Sequence, residues 1–423
     1  MFSKIKPSTE FSRNVLTLMM GTTIAQAIPI AISPILTRIY TPSDFGLFAL
    51  FNSLIAVFGV IASGRYELAI MLPKKDEDAI NIAALGMLIS TFFSVILFFI
   101  ILFFNDSICS LLNNIEIKPW LYFIPLVVFF TGGFNVLNYF NNRQKEFKTI
   151  ASATAVKSLV SASVQLMIGF VKAGATGLIT GQILSHMFAN LRLLKNIISD
   201  KKMISNISKI EIKNMGKKYI NFPKFSMPAI LSNTLSTQAT NIIIPIFYNV
   251  ITLGYYSLVQ RILGLPLVLI SNAIGQVYFK EAVSEKQLTK SVVKSTKSTF
   301  KKLVIIGIPL FLFLFLFIED VFIIVFGENW AIAGYYAKII LPLFLVKFLV
   351  SIFTLLPIIH DETKIDLVFQ LGMSIIVLSI LVVANYLKAQ FIDLLIWYMV
   401  LLIFYYLIYM SFLYIKYIKK KSK

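Results

Sequence analysis

The sequence AINIAALGMLISTFFSVILFFIILFF, at positions 79–104, contains no charged residue and decides the structural class of this protein. An α-helix needs about 20 apolar residues to cross the hydrocarbon core of a bilayer, and this stretch exceeds that length. Hydrophobic residues make up 58% of the chain and charged residues only 14%, whereas a soluble domain carries roughly 25% charged residues. The sequence therefore predicts a membrane protein built from α-helices.

Similar stretches account for most of the chain and leave no room for a separate soluble domain. We predict an all-α integral membrane protein with about 12 transmembrane helices. The predicted spans are 14–37, 45–64, 79–104, 119–140, 150–171, 174–195, 219–247, 252–279, 302–326, 335–358, 366–386 and 391–415.

The formal net charge of +19 reflects membrane topology rather than nucleic-acid binding. If the N-terminus lies inside, 31 of the 39 Lys and Arg residues fall on the inner side, many of them in the loops 192–224 and 280–302. Cytoplasmic loops of membrane proteins carry such an excess of basic residues. We therefore predict cytoplasmic termini and no nucleic-acid partner. The N-terminus lacks the compact pattern of a cleaved signal peptide.

An internal resemblance divides the chain into two halves. YTPSDFGLFAL at 40–50 aligns with YNVITLGYYSL at 248–258, about half the chain apart. Both copies join the first and second spans of their half, as a parallel duplication requires. We predict two six-helix lobes, at 1–200 and 201–423.

Polar residues and prolines cluster in the first span of each half, at Gln26 in the N-terminal half and over 223–245 in the other. Positions 233, 237, 240 and 241 recur at helical spacing and form one polar stripe. Such a stripe must face protein or water rather than lipid. Two interpretations stay open, a cavity lining and the packing of one span on another.

Three basic residues lie well inside predicted spans: Arg261, Lys347 and Lys157. A charge near the bilayer centre costs about 2.5–3.5 kcal/mol to insert, and no acidic residue lies well inside any span. These cations therefore favour an anionic ligand, against the alternatives of structural ion pairs and snorkelling. Arg65 and Glu67 end the second span, where an interfacial ion pair is the simpler interpretation.

The sequence lacks the motifs of the main alternative chemistries. It contains no nucleotide-binding G-x-x-x-x-G-K-[ST] loop, no metalloprotease or hydrolase motif, and no paired carboxylates on a large loop. With a single cysteine, Cys109, it forms no internal disulfide and no cysteine cluster for a metal. His186 is predicted to be a packing residue. We predict no catalytic residue, no metal site and no cofactor.

The motifs RIYTPSDFG at 38–46 and GRYELAIMLP at 64–73 resemble the polysaccharide-transporter branch of the multidrug/oligosaccharidyl-lipid/polysaccharide (MOP) exporter superfamily. Within it, the chain is most similar to Wzx-type O-antigen flippases of bacterial inner membranes. The two motifs cover the first 80 residues. The rest of the chain agrees in its span count, its duplication and its basic cytoplasmic loops.

The resemblance implies a V-shaped pair of MATE-like six-helix lobes around a cavity. It implies a multi-pass inner-membrane flippase of lipopolysaccharide and polysaccharide biosynthesis, which moves an undecaprenyl-pyrophosphate-linked oligosaccharide to the periplasmic leaflet by alternating access. An ion gradient would drive it, with H⁺ and Na⁺ both open, beside membrane lipids and a polysaccharide polymerase as partners. The residues that would meet the pyrophosphate and the sugars are Arg261, Lys347, Arg65, Lys157, Gln26, Asn233, Ser236, Thr237 and Asn241.

Three other interpretations compete with this one. A polysaccharide polymerase or ligase would carry a large periplasmic loop with arginines, whereas the predicted outer loops are short. A drug exporter of the same superfamily would favour acidic cavity residues, and a scaffold would need no cations inside its spans.

Overall fold

The computed structural model of the protein describes residues 21, 23, 25–172, 174–267 and 272–419, and all regular secondary structure among them is helical. The main helices are α1 (Ala25–Ile39), α2 (Pro42–Gly59), α3 (Asp76–Leu111), α4 (Ile124–Arg143), α5 (Phe147–Val171), α6 (Thr176–Ser199), α7 (Lys209–Lys218), α8 (Met227–Phe247), α9 (Val250–Pro266), α10 (Asn272–Thr289), α11 (Val293–Val321), α12 (Ala331–Val350), α13 (Thr363–Tyr386) and α14 (Phe391–Tyr417). Short helical turns, such as Tyr66–Met71, lie between some of them.

Over these described residues, eight helices are long and apolar enough to cross a membrane: α2, α3, α4, α5, α11, α12, α13 and α14. Their outer faces carry large exposed apolar side chains, among them Phe92 and Phe103 on α3. Such a surface suits contact with lipid and would be costly in water. The prediction of an all-helical, multi-pass membrane protein is therefore confirmed.

The described residues of the predicted spans lie mostly in helices. The number of twelve spans and the cytoplasmic position of the termini stay predictions. Residues 14–20 of the first predicted span and 268–271 of the eighth lie outside the described part of the chain.

The chain forms two compact units, Met1–Leu253 and Gly254–Lys423. In the first unit, α7 contacts α3, and α8 contacts α2. The predicted division into lobes at 1–200 and 201–423 stays a prediction.

The two copies of the internal repeat start their helices in the same way. Thr41 and Asp44 form a reciprocal capping box at the start of α2, with the Asp44 carboxylate accepting from the Thr41 N–H at 2.8 Å. At the aligned positions, Asn249 Oδ1 accepts from the N–H and the hydroxyl of Thr252 at 2.8 and 2.9 Å. Both caps satisfy N–H groups that a helix start leaves unpaired. The aligned sequences therefore encode equivalent helix starts.

Tyr40, at the end of α1, ties that helix to α5 and α6. Its hydroxyl donates to the Gln165 carbonyl oxygen at 2.6 Å, across 125 residues of sequence. A Cβ atom added at Gly169 would lie 2.5 Å from this hydroxyl, and one at Gly177 would overlap it. Glycine at both positions therefore lets the ring enter between the helices.

Candidate functional site

Lys347 lies on α12, within a predicted span, and its charge contacts aromatic rings. Its Nζ atom lies 5.2 Å from the centroid of the Phe344 ring and 6.0 Å from that of Tyr406 on α14. Both distances are those of cation–π contacts. Among the described residues, no ion pair or hydrogen bond to the Lys347 ammonium group is present. Within the described part of the chain, ring faces thus stabilise this cation, and its three N–H donors have no partner there.

Tyr406, one of the two rings at Lys347, also joins α14 to α13. The Tyr406 hydroxyl donates to the Met373 sulfur on α13 at 3.4 Å. Nearer the start of α13, the Asp366 carboxylate accepts from the Gln370 amide at 3.0 Å. The sequence identified the lysine and missed the rings around it, because the contact between α12 and α14 cannot be predicted from the spacing within either helix.

Lys157 occupies a comparable environment in the first unit. It is half-buried on α5, with Nζ 5.3 Å from the centroid of the Phe134 ring on α4. Its ammonium group has no carboxylate partner within the part of the chain that the structure describes. Lys157 in the first unit and Lys347 in the second therefore share one feature: each contacts an aromatic ring and no described acid.

His186 on α6 is buried in the same unit. Its ring nitrogens lie 3.2 Å from Gln182 Nε2 and 3.5 Å from Thr131 Oγ1. Asn190, one turn further on, donates to the His186 carbonyl oxygen at 2.7 Å. The contact with Thr131 joins α6 to α4, and the other two lie within α6, which agrees with the expected packing role.

Arg65 differs from the two lysines because an acid lies beside it. Gly64 and Arg65 both have positive φ, 62° and 63°, and turn the chain after α2. This turn sets Arg65 Nη1 3.1 Å from a Glu67 carboxylate that is only 1% exposed and also accepts from Ser63 at 2.5 Å. The geometry is that of the interfacial ion pair, the simpler of the two interpretations.

Arg261 is half-buried on α9. It follows Gln260, whose side chain forms a hydrogen bond within the same helix. There, the Gln260 amide donates to the Tyr256 hydroxyl at 2.7 Å. This places an arginine and two polar side chains on consecutive turns of one helix.

The polar stripe of the seventh predicted span lies on α8. The Ser236 and Thr237 hydroxyls donate to carbonyl oxygens of their own helix, both at 2.9 Å, and the Asn241 amide donates to Gln238 at 3.2 Å. Serine and threonine commonly bond in this way within membrane helices. The side chains of Asn233, on this helix, and Gln26, on α1, are exposed. Both amides make no hydrogen bond to a described residue and can bind a polar ligand.

The site residues fall into separate groups in the two units, and their chemistry is that of binding. Within the described residues, no cluster of three His, Cys, Asp or Glu side chains could hold a metal ion. Cys109 is buried with a free thiol, 3.3 Å from the Asn105 side chain. The arrangement offers cations, amides and aromatic rings, which are groups that bind anions and sugars.

A family model described as "Polysaccharide biosynthesis protein" matches residues 35–333. No curated protein matches the chain. Among solved structures, it is similar to an inward-facing multidrug resistance MATE family transporter of the MOP superfamily, with 14% identity, coverage of 97% of this chain and 99% of that chain, and a TM-score of 0.70. The lipid II flippase MurJ, in an inward closed conformation, gives 14% identity, 94% and 87% coverage, and a TM-score of 0.74.

A MOP superfamily transporter from Pyrococcus furiosus is also similar, with 14% identity, coverage of 95% of both chains and a TM-score of 0.55. At these identities, the likeness shows a shared fold. The chain therefore has the fold of the MATE and MurJ transporters.

Proposed function

The chain belongs to the family of polysaccharide biosynthesis proteins, and from this premise we propose that it is a flippase for a lipid-linked oligosaccharide. The substrate is an undecaprenyl-pyrophosphate-linked repeat unit of O-antigen or a related surface polysaccharide. The protein moves it across the bacterial inner membrane, from the cytoplasmic to the periplasmic leaflet. It acts by alternating access and without catalytic chemistry.

One observation carries this proposal: Lys157 and Lys347 sit within membrane helices and contact aromatic rings rather than acids. Each inserted charge costs about 2.5–3.5 kcal/mol, and one cation–π contact returns about 0.5–2 kcal/mol. The rest of the insertion cost is offset if an anion binds these lysines during the transport cycle. A pyrophosphate is such an anion, and it must cross hydrocarbon together with its sugars.

The other site residues have supporting roles in this proposal. Arg261 contributes a third cation for the phosphates, and Arg65 contributes the guanidinium N–H groups beyond the Nη1 that pairs with Glu67. The amides of Gln26 and Asn233 bind sugar hydroxyls. Ser236, Thr237 and Asn241 are the other residues that bind sugar hydroxyls.

The coupling ion, H⁺ or Na⁺, is left open by the proposal. Because the site residues include no carboxylate well inside a span, we expect coupling to depend on groups other than a buried acid. A polysaccharide polymerase that uses the flipped unit is the expected partner protein.

The experiment is complementation in the native host after deletion of the gene. Surface polysaccharide is read on a gel, and the leaflet of the lipid-linked unit is read by labelling intact spheroplasts. The proposal expects loss of long-chain polysaccharide with single units held in the cytoplasmic leaflet, and rescue by the native chain. Units that reach the periplasmic leaflet but stay unpolymerised would contradict it and indicate a polymerase. Unchanged polysaccharide would indicate another MOP-type exporter.

A further inference from the structure

Helix α7 and the residues before it are fixed to the start of α3, and to the helical turn that precedes it, by hydrogen bonds and apolar packing. The Asn81 side chain, 1% exposed, donates to the Asn206 carbonyl oxygen at 3.0 Å and accepts from the Ser208 N–H at 2.9 Å. The Tyr66 hydroxyl donates to the Gly216 carbonyl oxygen at 2.9 Å. Met215 is buried in the core cluster of the first unit. The helix is therefore a fixed part of this unit.

These contacts also define the depth of α7 relative to a membrane. On α3, the last acidic residue of the first turn is Asp78, and the first large apolar side chain that is strongly exposed is Leu88, at 57%. The boundary between water and hydrocarbon falls within these ten residues, about 15 Å of helix at 1.5 Å per residue. Asn81, which holds the segment before α7, lies inside this interval. Helix α7 consequently lies at the level of the lipid headgroups.

The face of α7 opposite Met215 is basic and carries one exposed apolar residue. Ile210 is 71% exposed, and Lys213 and Lys217 follow it at spacings of three and four residues, on the same face. Lys209 is exposed beside them. Lysines around an apolar side chain are typical of helices that lie in a membrane interface and attract anionic lipids.

We propose that this face of α7 binds the headgroups of anionic phospholipids in the adjacent leaflet, the one predicted to be cytoplasmic. The lysine ammonium groups contact the phosphates, and Ile210 enters the acyl boundary. The site is separate from the cations in the membrane helices, and the proposal does not depend on the transported substrate. Its ligand is a phospholipid of the surrounding membrane, which the lysines select by its negative charge.

The test uses the full-length protein in lipid vesicles with tryptophan at position 210, through the substitution Ile210→Trp. Quenching by brominated phosphatidylglycerol and by brominated phosphatidylcholine is compared, and quenching in the unsubstituted chain is subtracted. We expect the anionic lipid to be preferred at least about fivefold, the factor that one lysine near a membrane surface contributes. The preference should fall between 0.1 and 1 M salt, because the screening length shrinks from about 10 to about 3 Å.

Two pairs of lysine substitutions, each made in the Ile210→Trp protein, distinguish lipid binding at this face from nonspecific electrostatic attraction between the protein and anionic lipid. Lys213→Gln with Lys217→Gln should lower the preference at least about fivefold, while Lys209 keeps a remainder. The matched control is Lys74→Gln with Lys75→Gln, which removes the same charge from exposed residues that precede the acidic start of α3. This control should keep the preference.

Three results would overturn the proposal. Equal quenching by the two lipids would exclude recognition by charge. Absence of quenching at position 210 would mean that this face meets water. Loss of the preference on adding inorganic pyrophosphate at constant ionic strength would assign the lysines to a soluble or substrate-borne anion instead of a membrane lipid.

Discussion

Replacing Lys347 with methionine removes the charge and keeps the approximate volume of the side chain, so packing on α12 changes little. The substitution separates two roles that a membrane cation can have. If the lysine stabilises the fold, its loss lowers stability. If it binds a ligand, its loss removes transport and leaves stability equal or higher.

The magnitude follows from the contacts of Lys347. A lysine inside the bilayer costs about 3 kcal/mol relative to an apolar residue. The two ring contacts, at 5.2 and 6.0 Å, return together about 1.5 kcal/mol, near the middle of the usual range. Lys347→Met should therefore raise the free energy of unfolding by about 1.5 kcal/mol. We expect the same variant to lose surface polysaccharide by at least about tenfold, because a charge-assisted contact to phosphate is lost.

The two quantities need separate assays on one set of proteins. Stability is measured as the melting temperature of the purified protein in lipid nanodiscs, and function as surface polysaccharide in the deleted host. Lys338→Met is the matched control, because Lys338 is a lysine whose ammonium group pairs with Glu319 at 2.9 Å and is partly exposed. It should change stability by no more than about 1 kcal/mol and keep function. A less stable Lys347→Met, or a stable variant with full function, would refute the ligand role.

Further substitutions test the packing and the ion pairs. Gly177→Ala should lower stability by about 1–3 kcal/mol, because its Cβ would overlap a tyrosine hydroxyl. Gly264→Ala should not, because no atom of a described residue lies within 4 Å of the added Cβ; melting temperatures check both. Glu67→Gln should lower stability by about 2 kcal/mol in the same assay, because a partly buried guanidinium loses its anion. The hydrogen bond from Lys416 holds the pKa of the Glu362 carboxyl below its ordinary value, so this pair contributes stability above about pH 4.3 and loses it as the pH falls further. The difference in melting temperature between the native chain and Glu362→Gln should therefore shrink as the pH is lowered below about 4.3; a constant difference would contradict the ion pair.

Much of the fold could be predicted because a bilayer restricts the backbone. Every polar backbone group in hydrocarbon must be paired within the chain, so long apolar stretches become helices. The stretch 79–104 accordingly lies within α3. Helix ends were less predictable: α3 extends from Asp76 to Leu111, because the backbone hydrogen bonds of a helix do not stop where its apolar stretch stops.

The contacts that the site residues make with other residues could mostly not be predicted from the sequence and are known from the structure. The interfacial pair of Arg65 and Glu67 could be anticipated, since two residues of separation bring their side chains together once the chain turns. The rings around Lys347 come from its own helix and from α14, and a sequence contains no direct signal of that second contact. For Tyr40, the sequence marked the motif, while its position between two glycines of α5 and α6 depends on tertiary packing.

The contrast between Arg65 and Lys347 suggests a physical criterion for cations in transporters of this fold. Arg65 has an acid that is local in sequence and buried beside it, so its charge is paired in this structure. Lys347 has ring faces, which attract a cation without neutralising it and leave its N–H donors available. An anionic ligand can therefore add to Lys347 without displacing a partner, whereas at Arg65 it would compete with Glu67. On this criterion, Lys347 and its counterpart in the first unit, Lys157, are better candidates for contact with a pyrophosphate than the arginine of the sequence motif.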